Sequence, residues 1–188
     1  MKISEVNPNT LKGSMGPGLT ANKVWAFTKL SKIKTDFDTV YILGSWYGNA
    51  SLILSLDKRF EFDKIINVET DRSMLKTSQK LADMMGDSRI EPMLKDANQL
   101  DYRQLGPNGL VINFSCGNIS GTDWFDNIPL GTTVLLSGRN NDSGAVNQYK
   151  NLKDFAKEFN LSNRLFVGQQ NFKDPETEYE LYLVIGQK

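Results

Sequence analysis

Short apolar runs, bounded by turn signals and separated by stretches of helical periodicity, restrict the fold of this chain more than any other feature. Val40-Tyr41-Ile42-Leu43 stops at Gly44, Ile65-Ile66-Asn67-Val68 closes on Glu69, and a weaker run from Ile90 to Leu94 precedes Asp96. Leu110-Val111-Ile112-Asn113-Phe114 and Thr133-Val134-Leu135-Leu136 each follow a glycine, and Arg164 to Val167 and Tyr179 to Ile185 complete seven candidate strands. Runs of this kind read as buried strands when turn signals bound them. Between them, Met74, Leu75, Ser78, Leu81, Ala82 and Met85, and later Leu152, Phe155, Ala156 and Phe159, recur at helical spacing. Val24 to Ile33 reads as a further helix with Trp25 and Leu30 or Phe27 inward. Strands alternating with helices predict an α/β domain with a mainly parallel sheet.

The last connection differs from the others. Residues 168 to 178 are polar, contain Pro175 and show no helical pattern, so the sixth and seventh strands are expected to be antiparallel neighbours. The expectation is therefore seven strands, five strand-to-helix crossovers and one hairpin-like return at the end. A chain of 188 residues buries enough surface to fold as one compact domain without staples. Within it, residues 1–35 read as an N-terminal helical arm or lid and 36–188 as the sheet domain. The arm carries Lys2, Lys12, Lys23, Lys29, Lys32 and Lys34 against Glu5 alone. That charge fits either a solvated helix face beginning near Thr20 or contact with an anionic partner, nucleic acid included. No secretory leader and no apolar stretch of membrane-spanning length is present, which predicts a cytoplasmic protein without membrane contact.

The chain has no histidine and one cysteine, Cys116. Nucleophile pairs that need histidine, helical two-histidine zinc sites and cysteine cages are thereby excluded, and no metal is expected. A general base must be a carboxylate, Tyr, Lys or Cys; Asp96, Asp123, Asp142 and Tyr47 are the candidates on position. Chemistry that starts from an already activated substrate suits such a chain. Cys116 is expected to be a small buried hydrophobe rather than a nucleophile.

The first strand runs into Gly44-Ser45-Trp46-Tyr47-Gly48-Asn49 and then a helical segment. Glycines at both ends of the turn let backbone approach a ligand, and the next helix presents free N–H groups. The spacing is neither that of a dinucleotide fingerprint nor that of a Walker loop, and a tight turn without ligand is the plainer alternative. Glu69 lies 25 positions after Gly44, at the end of the second strand, where an acid can accept from a ribose. Glu69, Thr70 and Asp71 also suit capping of the next helix, with Asp71 the better cap. Asp96 closes the third strand in the same way, and the polar loop 138–144 follows the fifth on the same edge.

In the order and spacing of these motifs, residues 36–188 resemble the class I S-adenosylmethionine-dependent methyltransferases. That resemblance implies a Rossmann-like α/β fold: a seven-stranded, mostly parallel sheet with helices on both faces and an antiparallel last strand inserted beside the fifth. It implies S-adenosylmethionine as cofactor, held by Gly44, Ser45, Trp46, Tyr47 and Gly48. It further implies Glu69 with Thr70 on the ribose, Asp96 at the adenine amino group, and backbone contacts from Ala97 or Asn98. Asn113, Ser115 and Asn118, in the turn after the fourth strand, would face the methyl acceptor; polar turn chemistry is the alternative for all three. Trp124 and Phe125 suit either the acceptor pocket or the core. Several positions depart from the family pattern: Ile42 stands where an acid is common, Trp46 and Tyr47 replace small residues, and Gly117-Asn118 stands where some members carry Glu-His. Two functions follow as expectations, methyl transfer to a small molecule, or a cofactor-binding or regulatory module without catalysis. A nucleotide-binding enzyme would need phosphate ligands that the sequence does not offer.

Overall fold

The structure is a computed structural model that describes residues 12–140, 144–173 and 178–188. Lys2, Glu5 and Asp142 lie outside the described residues. The elements run α1 (Pro17–Leu30), β1 (Asp36–Leu43), α2 (Asn49–Leu56), β2 (Glu61–Glu69), α3 (Arg72–Met85) and β3 (Ile90–Leu94). They continue as β4 (Leu110–Asn113), α4 (Asp123–Asp126), β5 (Thr133–Arg139), α5 (Leu152–Glu158), β6 (Asn163–Lys173) and β7 (Glu178–Gln187). One sheet holds all seven strands in the order β3-β2-β1-β4-β5-β7-β6. β1 to β5 pair in parallel, while β7 runs antiparallel between β5 and β6.

The apolar runs are buried because they are central. Val40, Tyr41, Ile42 and Leu43 sit opposite Ile65–Val68 on one side and Leu110–Asn113 on the other. Successive side chains then feed two separate cores, as strand alternation requires. Val40, Ile42, Ile65 and Ile112 meet Ala26, Phe27 and Leu30 of α1, Ala50 and Leu54 of α2, and Ala82 of α3. Tyr41, Leu43, Ile66 and Val111 face Trp124 and Phe125 of α4 and Phe155 and Ala156 of α5. Trp124, Phe125 and Cys116 are thus core residues, at 1%, 3% and 1% exposure. Burial also pushes the Cys116 thiol well up from its ordinary range.

Four features differ from the sequence reading. The β3-to-β4 crossover carries two 3-10 turns, Ala97–Gln99 and Tyr102–Gln104, and no α-helix, so four crossovers rather than five carry one. Asp96 and Asp101 cap these turns individually, and Gly106-Pro107 ends the segment before a longer helix can propagate. β6 extends to Lys173 because antiparallel pairing with β7 holds its polar residues on the sheet edge. α1 begins at Pro17, with Pro in its first turn, ahead of the helical pattern read from Val24 and three residues before the helix face expected near Thr20.

The arm is also packed rather than only solvated: Lys23, Lys29 and Lys34 lie over the rings of Phe114, Phe166 and Phe37 at 5.3, 5.4 and 5.2 Å. The ammonium groups gain the attraction of the ring faces, and Lys23 Nζ also donates to the Leu19 carbonyl at 3.1 Å.

The turns leading into β2 and β3 share a clasp. Asp57 accepts from Arg59 Nε at 2.8 Å, and Asp87 from Arg89 Nε at 2.9 Å. Each arginine holds its aspartate below the usual carboxylate range, and hydrogen bonds from Ser73 and Met74 do the same for Asp71. A carboxylate with a lowered folded pKa adds stability above its unfolded value, about 3.9, and loses it as pH falls through the folded value. Urea midpoints should therefore hold level between about pH 6 and 8, where there is no histidine to titrate, and fall below about pH 4.

Candidate functional site

The turn after β1 is built from residues in the left-handed region. Gly44 has φ +58°, Trp46 +54° and Gly48 +77°. A Cβ on Gly48 would stand 2.1 Å from Ser78 Oγ, so this position is reserved for glycine on both counts. Trp46 carries a bulky side chain in a conformation that costs an L-residue about 1–2 kcal/mol. Something must hold it there. The Trp46 N–H donates to Glu69 Oε2 at 2.8 Å, and Glu69 Oε1 accepts from the N–H groups of Thr70 (2.8 Å) and Asp71 (3.1 Å).

Beneath the turn lies a second tie. Asn67, the polar interruption of the β2 run, is 1% exposed. Its Nδ2 donates to Ser51 Oγ on α2 and Ser78 Oγ on α3, both at 2.9 Å. Ser51 Oγ in turn donates to the Gly48 carbonyl at 2.8 Å. One amide thus joins β2, two helices and the turn.

Two cavities open at the carboxyl edge of the sheet, on either side of this turn. One, about 430 Å³, is lined by Glu69, Thr70, Met74, Asp96, Ala97 and Asn98 among others. The other, about 230 Å³, is lined by Asn22 and Lys23 of α1, Ser45 and Tyr47 of the turn, Ser137 of β5 and Tyr179 of β7 among others. Gly44, Trp46, Ser115 and Asn118 belong to both walls. A molecule in the first cavity therefore meets a molecule in the second at these four residues.

No protein-family model matches the sequence, and no curated protein matches it. Solved structures do. The N-methyltransferase NodS from Bradyrhizobium japonicum, in complex with S-adenosylhomocysteine, superposes with a TM-score of 0.72 at 10% identity, covering 97% of this chain and 94% of that one. Magnesium protoporphyrin IX methyltransferase (ChlM) from Synechocystis, with bound S-adenosylmethionine, gives 0.62 at 14% identity over 96% and 85%. The N-terminal domain of EvdMO1, with S-adenosylhomocysteine bound, gives 0.62 at 13% over 94% and 84%. This is the fold of the class I S-adenosylmethionine-dependent methyltransferases.

On that methyltransferase fold, most of the sequence-predicted residues gather at the two cavities. Gly44 and Trp46 stand on the shared wall, Ser45 and Tyr47 on the smaller cavity, and Glu69, Thr70, Asp96, Ala97 and Asn98 on the larger. Gly48 lies beneath the turn as the left-handed residue before α2. Asp71 caps α3 as expected, its Oδ1 accepting from Ser73 N at 2.7 Å and Met74 N at 3.1 Å. Asn98 is heavily engaged: its N–H goes to Asp96 Oδ1, its Nδ2 to the Ser120 carbonyl, and its Oδ1 accepts from Trp124 N. Ser115 and Asn118 reach both cavities, whereas Asn113 is fully buried with its Oδ1 accepting from Ser115 N at 2.7 Å. Asp123 is in neither cavity lining, and no acidic side chain lines the smaller cavity among the described residues.

Sequence reasoning put the loop that holds Arg139 on this edge and Lys23 in the arm, and missed the rest of the smaller cavity's far wall: Asn22, Ser137, Tyr179 and Leu181. The signal available was the reversed direction of β7, which brings its amino end, rather than its carboxyl end, to the working edge. Gly48→Ala should destabilise the protein by at least the roughly 1–2 kcal/mol that left-handed backbone costs an L-residue, measured by urea denaturation. Adding Ser78→Ala should recover part of that loss by removing the hydroxyl that the new Cβ meets.

Proposed function

We propose that the protein transfers a methyl group from S-adenosylmethionine to a small-molecule acceptor. The observation that carries this reading is the pair of cavities meeting at Gly44, Trp46, Ser115 and Asn118, one rich in acids suited to a nucleoside and the other closed off by α1. The residues present fit the donor. A carboxylate offers about four acceptor sites. On Glu69, Oε1 is crowded by the N–H and hydroxyl of Thr70 and the N–H of Asp71, whereas Oε2 accepts from Trp46 N alone and keeps room for a ribose hydroxyl. Asp96 Oδ1 is taken by Asn98, while Oδ2 accepts from nothing among the described residues and suits an adenine amino group. Ala97 would contribute backbone contact beside it.

The donor supplies a methyl group already activated on a positively charged sulfur, so the S–CH₃ bond breaks as the acceptor's lone pair forms the new bond. The protein's task is alignment, which is worth up to about 7–11 kcal/mol for an ideally placed pair. In this reading Ser115 and Asn118 orient the two partners across the shared wall, and Asn113 positions Ser115 by holding its N–H. The arm's helix α1 closes the acceptor side, and Trp46, on the wall that both cavities share, gives the donor an aromatic edge. The described residues include no helix long and apolar enough to cross a membrane.

Calorimetric titration should show S-adenosylhomocysteine binding tighter than about 1 mM, equivalent to about 4 kcal/mol. Glu69→Ala should weaken it by about 1.5–3 kcal/mol, and Glu69→Gln, which keeps one acceptor oxygen, by less. Absence of binding by the wild type would overturn the donor assignment. With methyl-labelled donor and fractionated cell extract, label should enter the small-molecule fraction, and Ser115→Ala and Asn118→Ala should lower its rate. Tight donor binding with no label transferred would instead support the non-catalytic module.

A further inference from the structure

Seven buried side-chain atoms find no hydrogen-bond partner among the described residues, and three of them belong to the wall of the smaller cavity: Asn22 Oδ1, Ser45 Oγ and Ser137 Oγ. All three residues are nearly inaccessible, at 4%, 6% and 0% exposure. Native interiors seldom leave such atoms unpaired, and convergence on one cavity points to a molecule that completes them. Resting on the methyl-transfer reading above, we propose that the acceptor is a neutral, multiply hydroxylated small molecule, a polyol or monosaccharide, recognised by Asn22, Ser45 and Ser137.

The donor and acceptor inventory selects this class. Asn22 Nδ2 is engaged with Tyr179 Oη at 3.3 Å, which leaves Oδ1 as an acceptor that needs a hydrogen from the ligand. The two serine hydroxyls each have a hydrogen to give and lone pairs to fill. An ammonium group only donates and would meet Lys23 and Arg139 on the same wall; a carboxylate only accepts, and those two cations are already engaged, Lys23 Nζ with the Leu19 carbonyl and Arg139 over the Tyr179 ring, whereas a hydroxyl both donates and accepts and can answer all three atoms. The size agrees. At about 230 Å³ the cavity is smaller than drug-sized sites of about 300–1,000 Å³, and holds about seven waters or one compound of similar bulk. The three atoms orient the hydroxyl groups; the atom that receives the methyl is the one that faces Ser115 and Asn118. There the bond to sulfur breaks as the bond to the acceptor forms, and a proton released by the acceptor passes to water.

The test uses the full chain saturated with S-adenosylhomocysteine and probes it with glycerol, D-glucose and myo-inositol, with propylammonium and propionate as controls, by saturation-transfer NMR. At least one polyol should bind at millimolar concentration in preference to both controls. Ser137→Ala and Asn22→Leu should each weaken it by about two- to tenfold. Ser137→Ala removes an unpaired hydroxyl, so its melting temperature should equal or exceed that of the wild type, which separates lost recognition from lost folding. The proposal is overturned if no polyol binds, if a control binds better, or if both variants bind the polyol as the wild type does, since water alone would then complete the three atoms. Failure of S-adenosylhomocysteine to bind, with polyol binding retained, would remove the methyl-transfer reading and leave the cavity assignment standing.

Discussion

The left-handed backbone of one turn, Gly44 to Gly48, is the constraint around which the working edge of this protein is arranged. Such a turn does not hold itself, least of all with a tryptophan at φ +54° in its middle. It is fixed from the side by the Glu69 carboxylate and from below by the Asn67 amide, two residues apart on β2. Both β2 residues point to the same side of the strand, so one strand supplies both clamps. The clamps also fix spacing between elements: Asn67 reaches α2 and α3 together, and Gly48 has no room for a side chain because Ser78 already stands there. A single polar position inside an apolar strand thus sets the geometry of the turn and the approach of two helices.

From that turn the two cavities follow. Parallel strands β1 to β4 deliver Gly44, Glu69, Asp96 and Ser115 to one edge, each at or just beyond a carboxyl end. β5 adds Ser137, and β7, running the other way, adds Tyr179 from its amino end. α1 then lies across the gap, with Asn22 holding Tyr179 and the buried face of the helix fixed by Ala26, Phe27 and Leu30. Enclosure of the smaller cavity therefore depends on core packing of the arm, and a weakened α1 core would open that cavity while leaving the Glu69 side in place.

The strands were legible because central parallel strands are buried on both faces, so Val40–Leu43 and Leu110–Asn113 read as unbroken apolar runs. The place of Glu69 and Asp96 on the carboxyl edge was legible because each closes or closely follows such a run, while the backbone N–H groups they accept, those of Trp46, Thr70 and Asp71 for Glu69 and that of Asn98 for Asp96, are a matter of local turn geometry. α1 was placed late because its apolar residues are spread around the helix rather than along one stripe, so periodicity gave no clear start. β6 was cut short because an edge strand with one solvated face carries a polar sequence, and only pairing with β7 keeps Gln169, Gln170 and Asn171 extended. The wall of the smaller cavity contributed by α1, β5 and β7 joins residues distant in the chain, Asn22 and Tyr179 among them, and local pattern holds no record of such a meeting.

The central claim is that the Gly44–Gly48 turn and the Glu69–Asp96 edge form one nucleoside-binding site. Backbone amide NMR with S-adenosylhomocysteine tests it most directly. The account predicts shifts concentrated at Gly44 to Gly48, Glu69 to Asp71 and Asp96 to Asn98, with Lys153, Lys157 and Arg164, which line a separate groove between α5 and β6, unmoved. Shifts centred on that distant groove, or none at millimolar ligand, would contradict it.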